Sequence, residues 1–113
     1  MRVLVCGGRH YKDKKRLFSE LESLNPKPTL IIQGGATGAD KIAKSWAKSK
    51  SIEVAEINPD WDKYGKRAGP IRNQDMINKH KPDLCIAFKG GRGTADMIRR
   101  CEVNDIPVKD FSS

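Results

Sequence analysis

Short apolar runs punctuate the chain at Arg2–Cys6, Thr29–Gln33, Ile52–Ile57, Asp83–Phe88 and Ile106–Lys109. Runs of this length, rich in valine and isoleucine, predict strands of a buried parallel sheet, with the weak alternation at Ile52–Ile57 pointing to a position near the sheet edge. Between them apolar residues return at helical spacing. Leu17, Phe18, Leu21 and Leu24 do so within Lys14–Leu24, and Ile42, Ala43, Trp46 and Ala47 form a stripe opposed by Lys41, Lys44, Lys48 and Lys50. Asn25-Pro26-Lys27-Pro28 ends the first helix, because proline cannot continue the hydrogen-bond ladder. Thr37 reads as the N-cap of the second helix. Asn58–Gly69 reads as the longest irregular connection, followed by a helix from Pro70 to about His80 and another over Thr94–Asn104. The order βαβαβαβαβ predicts an α/β fold of three layers, about five mostly parallel strands with helices on both faces.

Three of the predicted strands run into a glycine pair. VLVCGG closes at Gly7 and Gly8, followed by Arg9; LIIQGGATGAD carries Gly34, Gly35, Ala36, Thr37 and Asp40; LCIAFKGGRGTAD carries Gly90, Gly91, Arg92, Gly93, Thr94 and Asp96. Glycines beyond a buried strand let the backbone turn sharply and approach a ligand. Each of the last two turns leads into a helix whose first N–H groups lack intrahelical partners and whose dipole favours phosphate. These residues therefore predict a nucleotide or anion site on the carboxyl edge of the sheet, where strand order reverses. If the first and fourth strands flank that reversal, Gly7-Gly8 and Gly90-Gly91 line the crevice with Gly34-Gly35 beside it. Neither GxxxxGK[ST] nor a complete GxGxxG occurs, which favours a mononucleotide or nucleotide derivative over a dinucleotide hydride carrier. Asp40 and Asp96 fall in first helical turns, where the dipole stabilises a carboxylate by roughly 0.3 to 1 kcal/mol; either is also a candidate acceptor for ribose hydroxyls.

The segment from Asn58 to Asn73 packs two aromatics and four cations into a connection. Trp61 or Tyr64 can stack on a base, while Lys66, Arg67 and Arg72, with Asn73 beside it, can hold phosphate.

A chain of 113 residues is expected to form a single domain, 1–113, with one core. The net charge of +8 is dispersed from Arg2 to Lys109, which favours anionic partners: nucleotides, nucleic acid or acidic proteins. Dispersed cations and few aromatics provide no stacking platform for a single strand. Cys6, Cys85 and Cys101 read as small core residues, in keeping with a reducing cytoplasm. No apolar signal region follows Met1 and no run approaches a membrane span, so neither secretion nor membrane insertion is expected. His10 and His80 stand apart, without metal-ligand spacing, and no GxSxG occurs; neither a metal nor a cofactor is expected.

Together, the GGR after the first strand, QGGATGAD, DWDKYGKRAGPIRNQDM and AFKGGRGTADM resemble the SLOG superfamily, most closely its small stand-alone YpsA-related branch, over Val3 to about Val108. The resemblance implies a Rossmann-like fold with a glycine-lined pocket for nucleotides or their derivatives, often in a dimer or higher oligomer. LOG-type relatives cleave nucleoside 5′-monophosphates with an arginine of an RKxxM-like motif and a glutamate ending PGGxGTxxE. Here Arg72-Asn73-Gln74-Asp75-Met76 resembles the first motif and Lys89–Met97 the second, with Met97 at the glutamate position. A thioether neither takes a proton nor stabilises positive charge. Asp96 lies about 100° around the helix from that position. The leading expectation is a sensor, carrier or sequestering protein for a nucleotide-derived small molecule. The alternatives are an N-glycosidase using Asp96 or Asp40, and a single-stranded nucleic-acid binder.

Overall fold

Strands β1 (Arg2–Cys6), β2 (Leu30–Gln33), β3 (Glu53–Glu56), β4 (Leu84–Phe88) and β5 (Val108–Phe111) form one sheet in the order β3-β2-β1-β4-β5, with every pairing parallel. The computed structural model describes residues 1–113. Helices α1 (Lys14–Glu22), α2 (Ala39–Ser49), α4 (Ala68–His80) and α5 (Arg92–Val103) connect the strands, with a one-turn α3 (Trp61–Tyr64) and a 3₁₀ turn (Gly65–Arg67) leading into α4. This is a Rossmann-like α/β architecture.

Side chains alternate across the central strands, and that alternation builds two cores. Val3, Val5, Ile31, Ile86 and Phe88 point to one face, where α1 contributes Leu17 and Leu21 and α2 contributes Ala43, Trp46 and Ala47. Leu4, Cys6, Ile32, Cys85 and Ala87 point to the other, against Met76 and Ile77 of α4 and Met97 and Cys101 of α5. Each large apolar side chain buried this fully contributes roughly 1.5–3 kcal/mol. The three cysteines are unpaired and buried, with Cys6 Sγ 3.9 Å from Cys85 Sγ. No helix is long and apolar enough to cross a membrane.

Four local expectations change. The stretch after Asp60 is helical, not irregular: the Asp60 carboxylate accepts from Lys63 N at 3.1 Å and so starts α3, which Gly65 ends with φ +56°. The N-cap of α2 is Gly38, at φ +79°; Thr37 instead donates its hydroxyl to the Arg9 carbonyl at 3.1 Å. Helix α5 begins two residues earlier than Thr94, at Arg92. The fifth strand begins at Val108, because Ile106 N is still held by the Cys101 carbonyl at the end of α5 and Asp105 takes φ +60°.

Candidate functional site

Strand order reverses between β1 and β4, so the turns that follow them face each other across the crevice, with the turn after β2 alongside. The three turns are stitched together through Gly8. Its N–H donates to the Lys89 carbonyl at 2.9 Å, while its own carbonyl accepts from Ala39 N at 3.3 Å and Tyr11 N at 3.1 Å. A side chain at Gly38 would collide with that same Gly8 carbonyl. Several of the glycines are thus required by loop-on-loop packing.

In the turn after β2 the leading donors are taken by side chains, while the N–H groups of Thr37, Gly38, Asp40 and Lys41 have no acceptor in the chain. Asp40 reaches back from the first turn of α2, and its Oδ2 accepts from Gly34 N and Ala36 N, both at 3.2 Å. Gln33, fully buried, takes Gly35 N on its Oε1 and donates to Glu56 at 2.7 Å. Burial pushes the Asp40 carboxyl up to about 6, against the lowering effects of the Ala36 N–H, the Arg72 charge and the Gly34 N–H; Glu56 adds a small upward push.

In the turn after β4 none of the leading donors is taken. The backbone N–H groups of Gly90, Gly91, Arg92, Gly93 and Thr94 have no acceptor anywhere in the chain. The first protein bond there is Ala95 N to the Gly91 carbonyl, at 3.1 Å. Thr94 is 6% exposed, yet its hydroxyl makes no hydrogen bond. No fully enclosed side-chain polar atom lacks a partner, so that hydroxyl opens into the crevice beside Gly90. Consecutive free N–H groups at a helix N-terminus form a nest for an anion. Two equivalent N-termini were expected; the turn before α2 carries a carboxylate bonded to Gly34 N and Ala36 N, whereas no carboxylate meets the N–H groups of the turn before α5.

Arg72, on α4, ties the walls together. Its Nη1 donates to the Gly34 carbonyl at 2.7 Å and to the Ile57 carbonyl at 3.3 Å, and its Nε donates to Asn73 Oδ1 at 3.0 Å. Its Nη2 has no partner in the chain and, by the same enclosure argument, faces the crevice. Burial lowers the Arg72 pKa, opposed by the charge of Asp40. Asn73 Nδ2 donates to the Gly93 carbonyl at 3.2 Å and to Asp96 Oδ2 at 3.0 Å.

Asp96 is already committed. Arg100 Nε and Arg99 Nη2 lie 2.7 and 2.6 Å from its two oxygens. Burial works to raise its pKa, but the bonds from Arg100, Asn73 and Arg99 hold it below the ordinary aspartate value. It is therefore poorly suited to the acid–base role considered for it, because its proton is hard to retain and its oxygens are occupied. Met97 is fully buried on the crevice floor.

The crevice is an open cleft of about 1860 Å³, larger than the roughly 300–1,000 Å³ typical of small-molecule pockets. It gathers the glycine-turn candidates together with Arg9, Trp61, Lys66, Arg72 and Asn73. Tyr64 and Arg67 do not line it. Trp61 stands at its wall with 57% of its surface exposed, near Gly69. Lys12, Lys89 and Arg99 also line the cleft and were not singled out in the sequence; Lys89 directly precedes the third glycine pair, which was the available signal. Seven lysines and arginines line it against three aspartates, which biases it toward anions. No three histidine, cysteine or acidic side chains gather to hold a metal.

A parallel α/β sheet with a glycine-lined cleft at its reversal point defines a Rossmann-type domain. The model of the YspA, cpYpsA-related SLOG family (YAcAr) matches residues 1–64. The Gene 61 protein of Mycobacterium phage D29 is 37% identical over 120 residues, covering 97% of this chain and 95% of the phage protein. The chain belongs to the YspA, cpYpsA-related SLOG family. Among solved structures, UDP-GlcNAc 2-epimerase from Neisseria meningitidis, bound to UDP-GlcNAc, superposes with a TM-score of 0.60 at 17% identity. The match covers 97% of this chain but 32% of the epimerase, and it concerns the fold alone.

Proposed function

We propose that the protein binds a nucleotide or nucleotide-derived small molecule, as a sensor, carrier or sequestering protein, with a phosphate seated on Gly90–Thr94. The observation that carries this reading is the run of five backbone N–H groups without an acceptor, beside an unpartnered and nearly buried Thr94 hydroxyl. A phosphate there gains hydrogen bonds to a charged group, each worth about 1.5–3 kcal/mol, and cationic surroundings that hold it. Trp61 supplies an aromatic face for the base at the cleft wall. Family membership supports a nucleotide-related ligand.

Purified protein is denatured and the released small molecules identified by mass spectrometry, alongside a thermal-shift screen of mono-, di- and cyclic nucleotides and ADP-ribose. A retained intact nucleotide derivative, or a shift with one class, is the expected result. No released ligand and no shift, or a shift with oligonucleotides alone, overturns the reading.

One observation favours a second reading, cleavage of an N-glycosidic bond: Asp40 is a buried carboxyl in the cleft that titrates at about 6. Such a group can serve as acid or base near neutral pH. Free base appearing on chromatograms with the wild type, and not with Asp40→Asn, supports cleavage; unchanged nucleotide after prolonged incubation removes it.

A further inference from the structure

The walls of the cleft differ in how they are held. Gly8 N–H ties the turn after β1 to the Lys89 carbonyl at 2.9 Å, and the Thr37 hydroxyl holds the Arg9 carbonyl at 3.1 Å. Farther along the first of these turns, the Tyr11 ring lies 5.1 Å from the ring of Phe88, a core residue. The wall after β3 has no such ties. From Asn58 to Arg67 no residue is buried, and no side chain from Pro59 to Arg67 makes a hydrogen bond or ion pair to the rest of the protein. The polar contacts of its side chains are internal: Asp60 accepts from Lys63 N at 3.1 Å, and the Lys63 ammonium lies 5.1 Å from the centre of the Tyr64 ring. Its two ends, by contrast, are fixed. Ile57 N donates to the Gln33 carbonyl at 3.0 Å and the Ile57 carbonyl accepts from Arg72 at 3.3 Å, while Ala68 is fully buried.

We propose that residues 59–67 form a lid that closes over the occupied cleft, flexing at Asn58 and about Gly65. The inference rests on the nucleotide reading above and concerns how that same site is closed. Segments with few buried contacts open and move at little cost in free energy, and lids are drawn from them. Gly65, at φ +56° with open space where a side chain would stand, is free to change its backbone angles. The lid also carries the groups that give a ligand a reason to close it, since a ligand favours a state only through contacts made better there. Lys66 lines the cleft with Arg9, Arg72 and Arg92, and these like charges oppose closure while the cleft is empty. A phosphate on Gly90–Thr94 reverses the sign of that interaction and draws Lys66 inward, bringing the Trp61 ring against the remainder of the ligand. The 1860 Å³ of the open cleft exceeds what a small ligand fills, and inward movement of this one untied wall reduces the excess.

The test is a pair of distance measurements between nitroxide labels in the full chain, whose three native cysteines are buried. Asp62→Cys with Lys15→Cys spans the lid and α1; Lys15→Cys with Lys48→Cys spans α1 and α2 as the rigid reference. All three positions are exposed. The ligands are mono-, di- and cyclic nucleotides and ADP-ribose, with binding to the labelled chains established by thermal shift. In the free chain the lid distance is expected to be more broadly distributed than the reference. With a bound nucleotide it should narrow and its mean move by about 2 Å or more, with the reference unchanged. Lys66→Gln should bind more weakly and show a smaller movement at saturation. A lid distance as narrow as the reference in the free chain, or unmoved when a nucleotide is bound, overturns the lid and leaves the phosphate site standing. No binding by any of these compounds removes the nucleotide reading, and the lid with it, a result distinct from both.

Discussion

Asn73 joins two helices by donating to Asp96 Oδ2 at 3.0 Å, and the same amide nitrogen reaches the Gly93 carbonyl at 3.2 Å. Asn73 is 4% exposed, so truncation leaves these groups without replacement solvent at close range. Asn73→Ala is expected to cost about 1–3 kcal/mol in urea unfolding, the penalty for stranding buried polar groups. It should also weaken binding of any phosphate-bearing ligand, since the first turn of α5 loses its brace. A stability change below about 0.5 kcal/mol would show that the bridge is not made in solution.

The glycines of Gly90-Gly91-Arg92-Gly93 are not equivalent. A methyl at Gly90 would lie 2.7 Å from Gly8 N and 3.0 Å from the Gly7 carbonyl carbon, and against the Thr94 hydroxyl, whereas a methyl at Gly93 meets nothing within 4 Å. Gly90→Ala should lower stability by about 1–3 kcal/mol, as backbone must move to admit it. Gly93→Ala should be neutral or stabilising by up to about 1 kcal/mol, since alanine is the better helix residue. Thermal unfolding of the two variants decides; equal effects would contradict the packing described.

Asp40 makes stability depend on pH in the direction opposite to that of a salt-bridged aspartate. Its carboxyl titrates at about 6 in the fold, above the ordinary 3.8, so the native state holds the proton more tightly than the unfolded chain. Its contribution is fully favourable below 3.8 and is lost as pH rises through about 6. The difference between these values corresponds to about 3 kcal/mol of cost once the group is ionised. Asp40→Asn should therefore be more stable than wild type at pH 8, with the advantage shrinking between pH 6 and 4. Denaturant midpoints across that window check it; an advantage independent of pH would mean that Asp40 does not titrate as described.

The two tryptophans differ enough to report separately. Trp46 is 3% exposed, with its indole N–H on Glu22 at 3.1 Å, while Trp61 is 57% exposed. Trp61→Ala should change stability by less than about 0.5 kcal/mol, as surface substitutions usually do. A nucleotide stacked on Trp61 should quench the red-shifted part of the emission in wild type, and the variant should lose that signal. Quenching that persists in Trp61→Ala would move the base elsewhere.

Much of the fold was legible because periodicity survives in it: the alternation of Val3, Leu4, Val5 and Cys6 is the division between the two cores. The three glycine pairs correctly marked the carboxyl edge and the reversal beside β1. The asymmetry between the second and third turns was not legible, since GGATGAD and GGRGTAD share a pattern. What separates them is the partners each aspartate takes: Asp40 folds back onto its own turn, while Asp96 is taken by Arg99 and Arg100 and, from the neighbouring helix, by Asn73. Those arginines stand three and four residues after Asp96, a spacing that signals helical ion pairs and could have demoted it from the sequence alone. The cap at Asp60 was equally available and would have made Trp61–Tyr64 helical in advance.

The back-folded carboxylate of Asp40 also gives the cleft a polarity. A molecule carrying a phosphate at each end meets a run of open N–H groups at the turn after β4, and at Gly34–Ala36 a sitting tenant of the same sign. On the reading proposed here, that charge orients the ligand, with its phosphate at the turn after β4 and its far end toward the open mouth by Trp61.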